Sequence, residues 1–218
     1  MKLLQNKIKI LLLYYNTLKF LKFSQFIFRF RNLVENKKVS QKITSLKIVK
    51  LDKWINISSK KNEIRKNNYF LFLNKERFVN TNTWKIKEKD KLWLYNLHYF
   101  NFINTKDYNK YYHRKCLIDK WVVANKPFEG VAWERYPTSI RVVNWIKWFL
   151  SGNELSKMSL HSLYIQSRWI YKNPERHLLG NHFFSNLKAL IFSACIFENT
   201  ETTKWLIWSQ KQMCKQLK

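Results

Sequence analysis

Residues 140–150 and 183–197 of this chain have helical spacing yet are apolar on nearly every face. A helix of that kind cannot keep one side wet. It needs neighbours all round, as in an inner ring or a layered bundle. Both stretches sit in a series of segments with the same period: 93–102, 111–124, 137–150, 154–171, 181–197 and 201–217. Pro137 suits a first helical turn, because its missing N–H would have no partner there. Ser151-Gly152-Asn153 ends the helix that follows it. Links this short favour antiparallel neighbours, so stacked helical hairpins are expected. No strict repeat period is visible, which argues against a solenoid. After the last periodic residue there is no Gly, Asn or Pro to stop a helix. The expectation is that the polypeptide ends inside a larger architecture.

The chain divides into three parts: residues 1–33, 34–92 and 93–218. The first mixes Leu and Phe runs with Lys7, Lys9, Lys19, Lys22, Arg29 and Arg31. It has neither the clean apolar core nor the small-residue cleavage site of a signal peptide, and it is too interrupted to span a bilayer. It reads as a basic amphipathic helix. Its apolar face is expected to dock on the rest of the protein, with peripheral contact to an anionic membrane as the alternative. Residues 34–92 form a polar, lysine-rich leader with short strands. Residues 69–74 are β-prone, with a turn at Asn74-Lys75 and a second strand resuming near Phe78, so a small hairpin is expected. Residues 81–90 read as exposed.

An apolar fraction of 46% and ten tryptophans exclude disorder in a chain of 218 residues. The net charge of +27 suggests nucleic acid at first sight. The excess is mostly lysine, however, and is spread along the whole chain beside abundant Asn and Ile. A solvated basic surface explains that pattern better, and no nucleic-acid partner is expected. Basic charge still favours an acidic polymer as ligand. Cys116, Cys195 and Cys214 have no paired spacing and imply neither a disulfide framework nor zinc; Cys195 reads as a small core hydrophobe. The histidines and carboxylates have no metal-ligand spacing, so neither metal nor cofactor is expected.

Three blocks could carry chemistry. Glu175-Arg176-His177-Leu178-Leu179-Gly180-Asn181-His182 packs two imidazoles, a carboxylate, a guanidinium and a carboxamide at the opening of an apolar helix. Groups this dense are costly to bury without partners. Asn181 suits an N-cap. At a helix N-terminus, Asn181 and His182 could meet a substrate carboxylate. In the block from Trp133 to Trp145, Arg141 and Asn144 share a helix face with Trp145 and Trp148. Arg141 either pairs internally with Glu134 or Glu175, or reads a carboxylate or sulfate in a cleft where tryptophans stack on sugar rings. Trp133, in a loop, is the best candidate for ligand contact. The third block, Trp93 to Phe100, holds Asn96 and His98 among aromatics and is weak on its own.

In this order and spacing the blocks resemble the N-terminal helical domain of heparinase II/III-like polysaccharide lyases. The matching stretches are residues 93–100, residues 130–145 and residues 175–182 with Asn186, Ala189 and Leu190; residues 25–31 and 72–74 are similar to the family's leader. The resemblance implies a mainly α chain: an incomplete (α/α) toroid of antiparallel helical hairpins, normally followed by a β-sandwich. It also implies cleavage of uronate-containing polysaccharide by β-elimination. By motif position Asn181 would neutralise the uronate carboxylate and His182 would act as base or bind substrate. Trp133, Arg135, Tyr136, Arg141, Asn144, Glu175 and His177 would build or brace the cleft. The family's tyrosine acid would lie beyond Lys218, so little or no lyase activity is expected of this chain alone. A non-catalytic module that holds anionic polysaccharide, and a basic membrane-surface or nucleic-acid binder, are the alternatives. Location is divided: cytoplasmic by the missing export signal, extracytoplasmic by family analogy.

Overall fold

The computed structural model describes residues 2–34, 38–43, 46–49, 53–55, 64, 68–86, 90–105 and 111–217. It is mainly helical. The N-terminal part holds α1 (Lys2–Leu18), α2 (Phe23–Val34), β1 (Lys47–Ile48), β2 (Tyr69–Phe72) and β3 (Lys75–Phe78). The remainder holds α3 (Lys91–Tyr99), α4 (Tyr111–Ala124), α5 (Arg135–Leu150), α6 (Lys157–Lys172), α7 (Gly180–Ile196), β4 (Phe197–Glu198) and α8 (Thr200–Gln216).

Short polar side chains set several helix starts. Asp90 accepts from the Leu92 and Trp93 amides at the head of α3, and Ser156 accepts from the Ser159 amide at the head of α6. Asn199 forms a reciprocal capping box with Thr202 on α8. Each such cap is worth about 1 kcal/mol. The cap at Ser156 starts α6 three residues later than periodicity alone suggests.

Among the described residues, the six α-helices after residue 90 form two layers, and their side-chain partners fix the directions. Asn144 on α5 donates to the Tyr99 carbonyl at the end of α3, while Tyr95, earlier on α3, bonds Glu134 just ahead of α5. Tyr136 stacks on His182, and Ser139 accepts from Asn186 three to four residues further along both chains. So α3, α5 and α7 run parallel. In the second layer Asp119 on α4 accepts from Ser156 and Ser159 on and before α6, at 2.6 Å each. Asn125, nearly two turns further on, shares a hollow with His161 and Ile165. Tyr164 on α6 donates to Glu201 on α8, and Tyr171 packs on Trp208. This layer is parallel within itself. It runs against the first, as the Arg141–Gln166 and Trp133–Trp169 bonds require.

Between the layers lies an aromatic core. Trp121 and Trp145 meet edge to face at 5.5 Å, and Phe100 packs on both. Burial is heaviest on α5 and α6. The expectation of burial all round therefore holds for α5, but α7 leaves Phe184 exposed.

The leader joins this body at two places. β1 pairs antiparallel with β4, Ile48 opposite Phe197, and Arg168 donates to the carbonyls of Ser40 and Lys42. The β2–β3 hairpin turns at Leu73-Asn74, one residue earlier than expected. Both residues have positive φ, 53° and 60°, the backbone twist that suits a two-residue hairpin loop.

Three expectations are corrected. Residues 1–33 form two helices broken at residues 19–22, not one. The 81–90 stretch is not uniformly exposed: Trp84 is buried, stacked on Phe100 with centroids 5.4 Å apart. Cys195 is exposed rather than in the core, because it falls on the outward face of α7.

Candidate functional site

Because α3, α5 and α7 are parallel, their N-terminal ends, the positive ends of the helix dipoles, share one end of the layer. The turn between α6 and α7 crosses that end. It delivers Glu175 to Asn186, whose Oδ1 accepts from the Glu175 amide at 2.7 Å. The Asn186 Nδ2 donates to Glu175 Oε2 at 3.2 Å and to Ser139 Oγ at 2.8 Å, and Ser139 donates in turn to the Arg135 carbonyl. One buried carboxamide thus pins the turn to two helices.

The other carboxylate oxygen of Glu175 lies 3.2 Å from His182 Nδ1. The imidazole is stacked on the Tyr136 ring, with centroids 4.2 Å apart and planes 30° apart. Tyr136 meets Tyr99 edge to face, and Tyr99 packs beside Tyr95. The Tyr95 hydroxyl bonds Glu134, whose second oxygen pairs with Lys91 at 3.0 Å. Burial, and for Tyr95 the Glu134 carboxylate, raise both tyrosine hydroxyls, so they stay protonated at neutral pH. His177 is pushed down to about 4, first by burial and then by the charges of Arg135 and Arg29. It is a neutral imidazole at neutral pH.

Beside this cluster is an open cleft of about 200 Å³ lined by Phe128, Gly130, Trp133, Glu134, Arg135, Trp169 and Glu175. Asn181 is exposed in the first turn of α7, and the His182 side chain keeps 36% of its surface. A partly exposed imidazole oriented by a carboxylate that itself lines an aromatic-walled cleft is competent for proton transfer or for holding an anionic ligand.

The sequence-derived candidates fall into two groups. Trp133, Arg135, Tyr136, Glu175, His177, Asn181 and His182 gather at this end. Arg141 and Asn144 do not. Arg141 is 0% exposed. Its guanidinium donates to Gln166 Oε1, the His98 carbonyl and Thr138 Oγ1, and lies 3.9 Å over the Trp121 ring. It is not a ligand contact, and its partners are neutral groups rather than Glu134 or Glu175. Burial lowers its pKa well below the ordinary arginine value. Asn144 ties α5 to the Tyr99 carbonyl and to Asn101 Oδ1 at 2.7 Å, about two and a half helical turns beyond the cleft-lining Arg135.

Two further readings change. Asn181 does not cap α7; the helix starts one residue earlier and Leu179 occupies the cap position, with φ 55° and no side-chain bond. Trp133 is in a short 3-10 turn, only 3% exposed, and gives the cleft a wall rather than a protruding platform. The sequence reading did not assign roles to Ser139, Asn186, Tyr95, Phe128 or Trp169. The seven- and eleven-residue spacings from Glu175 to His182 and Asn186 were the one local signal; the other partners are far apart in the chain.

No protein-family model matches this chain, and neither the curated proteins nor the solved structures contain a match.

Proposed function

We propose that this chain forms the N-terminal part of a polysaccharide lyase, an incomplete (α/α) toroid whose cleft takes a uronate-containing glycan for β-elimination. The observation that carries the reading is the pairing of Glu175, which lines the cleft, with His182, which follows the exposed Asn181 and whose ring is stacked on Tyr136. The two oppositely directed layers, each parallel within itself, support the toroid, since alternate helices of such a ring run in opposite senses.

The chemistry follows from the pair. Glu175 keeps the His182 proton on Nδ1, which leaves the Nε2 lone pair as base. Elimination removes the C5 proton of the uronate to Nε2. The C–H electrons become the C4–C5 double bond, and O4 departs with a proton from an acid. The C5 proton is acidic enough only when the adjacent carboxylate is neutralised. Asn181 Nδ2 and the amides of the first turn of α7 supply donors for that, and Arg135 supplies charge. Glu175 stabilises the imidazolium that forms.

The test is titration of the chain with uronate oligosaccharides and with the same sugars after reduction of their carboxyl groups. Binding is expected for the acidic sugars. It should weaken by about tenfold to a hundredfold for Asn181→Ala or on carboxyl reduction, the value of a hydrogen bond to a charged group. Equal affinity for both sugars refutes the reading.

A further inference from the structure

The face of α2 that meets the body is not its apolar one. Gln25 Nε2 donates to the His177 carbonyl at 3.2 Å, and the Arg176 guanidinium lies 5.3 Å over the Phe28 ring. At about 100° per residue, Phe23, Phe26, Ile27 and Phe30 form a stripe on the other side. All four are exposed, Phe23 by 79% and Phe30 by 71%. On α1 every side chain from Gln5 to Asn16 is exposed; apolar residues between Ile8 and Tyr15 lie on most sides of the helix, and Gln5, Lys9 and Asn16 form a narrow polar strip beside Leu12. Residues 1–33 contain Lys2, Lys7, Lys9, Lys19, Lys22, Arg29 and Arg31 and no acidic residue.

We infer that α1 and α2 form an in-plane arm that lies on an anionic lipid bilayer. Two independent features select that occupant. An uncovered stripe of phenylalanine and isoleucine calls for an apolar medium. The seven cations of residues 1–33, with no acid among them in the sequence, call for an anionic one. A lipid surface offers both within one thickness: side chains enter the headgroup–acyl boundary by roughly 5–10 Å while lysines meet phosphates. A second copy would bring the same net positive segment against itself. Nucleic acid would meet the cations but would leave the apolar stripe wet. No described helix is long and apolar enough to cross a membrane, so the arm lies along the surface. Through His177 and Arg176 it also holds the α6–α7 turn, and with it the cleft, beside that surface.

Flotation of the full chain with vesicles tests this, comparing phosphatidylcholine alone with phosphatidylcholine plus phosphatidylglycerol. The chain is expected to float with the anionic vesicles, less so as salt rises. Replacing Phe23 and Phe30 together by Ser should lower partition at least tenfold, and Lys7→Gln with Lys9→Gln about thirtyfold. Unchanged far-ultraviolet circular dichroism of both variants separates lost binding from lost folding. Equal partition into neutral and anionic vesicles overturns the inference, as does failure to float with either. So does a lipid-free dimer that the Phe23→Ser, Phe30→Ser variant dissolves. None of these outcomes depends on the glycan titration.

Discussion

Asn186→Leu isolates the joint that holds the candidate site. Leu has the branched shape of Asn but is larger, so the change opens no cavity, and overpacking at this fully buried position adds to the lost hydrogen bonds. The Glu175 amide, buried and bonded at 2.7 Å, is left without its acceptor, which costs about 1–3 kcal/mol. Glu175 Oε2 loses a charge-assisted bond, roughly 1.5–3 kcal/mol when the group cannot rehydrate. Ser139 keeps its bond to the Arg135 carbonyl and loses little. The two losses share one carboxylate-bearing residue and do not add fully, so the expected destabilisation is about 3 kcal/mol. For a chain of this length that lowers the melting temperature by about 6–12 °C. Urea denaturation at constant m, with the exposed Asn181→Leu as a control expected within about 0.5 kcal/mol, measures it. A loss under about 1 kcal/mol for Asn186→Leu would show that the carboxamide does not carry the turn.

Two further outcomes are expected. His98 is buried with its Nδ1 accepting from Trp121, and burial, aided by Arg141, lowers its pKa to about 3 against 6.5 in the unfolded chain. The unfolded state therefore binds the extra proton, and stability falls as pH drops from about 6.5 towards 3, by at most about 1.4 kcal/mol per pH unit from this group. His98→Gln keeps an acceptor for Trp121 and should flatten that slope, leaving the smaller part due to His177; an unaltered slope in pH-dependent denaturation would refute the assignment. Gly180→Ala, normally stabilising in a helix, should here cost about 1–2 kcal/mol, because φ is +49° although nothing lies within 4 Å of an added Cβ. A neutral result by thermal denaturation would mean the backbone relaxes.

Much of the site was legible as a set of residues but not as an arrangement. The 175–182 block announced itself by polar density, and its members do assemble at one end of the helical layer. What each does there depends on partners 39 to 47 positions away: Tyr136 on His182, Ser139 on Asn186, Tyr95 on Glu134. Arg141 shows the limit best. Its position among Val, Ile and Trp indicated an expensive charge that must be paired. The expected carboxylates were wrong, because a carbonyl, a carboxamide and the Trp121 face already surround it.

Residue order alone determined the helices after residue 90 to within a few positions, the hairpin and the mainly helical class, since these rest on periodicity, caps and turn-forming residues that act within a few positions. Only the tertiary structure decided which way each layer runs, that Trp133 is a wall, that Arg141 is sealed, and that α2 turns its phenylalanines outward. Those outcomes depend on which surfaces meet after the chain has folded back on itself. Any amphipathic helix has two faces, and only packing against the Arg176–His177 turn selects the one that Gln25 occupies.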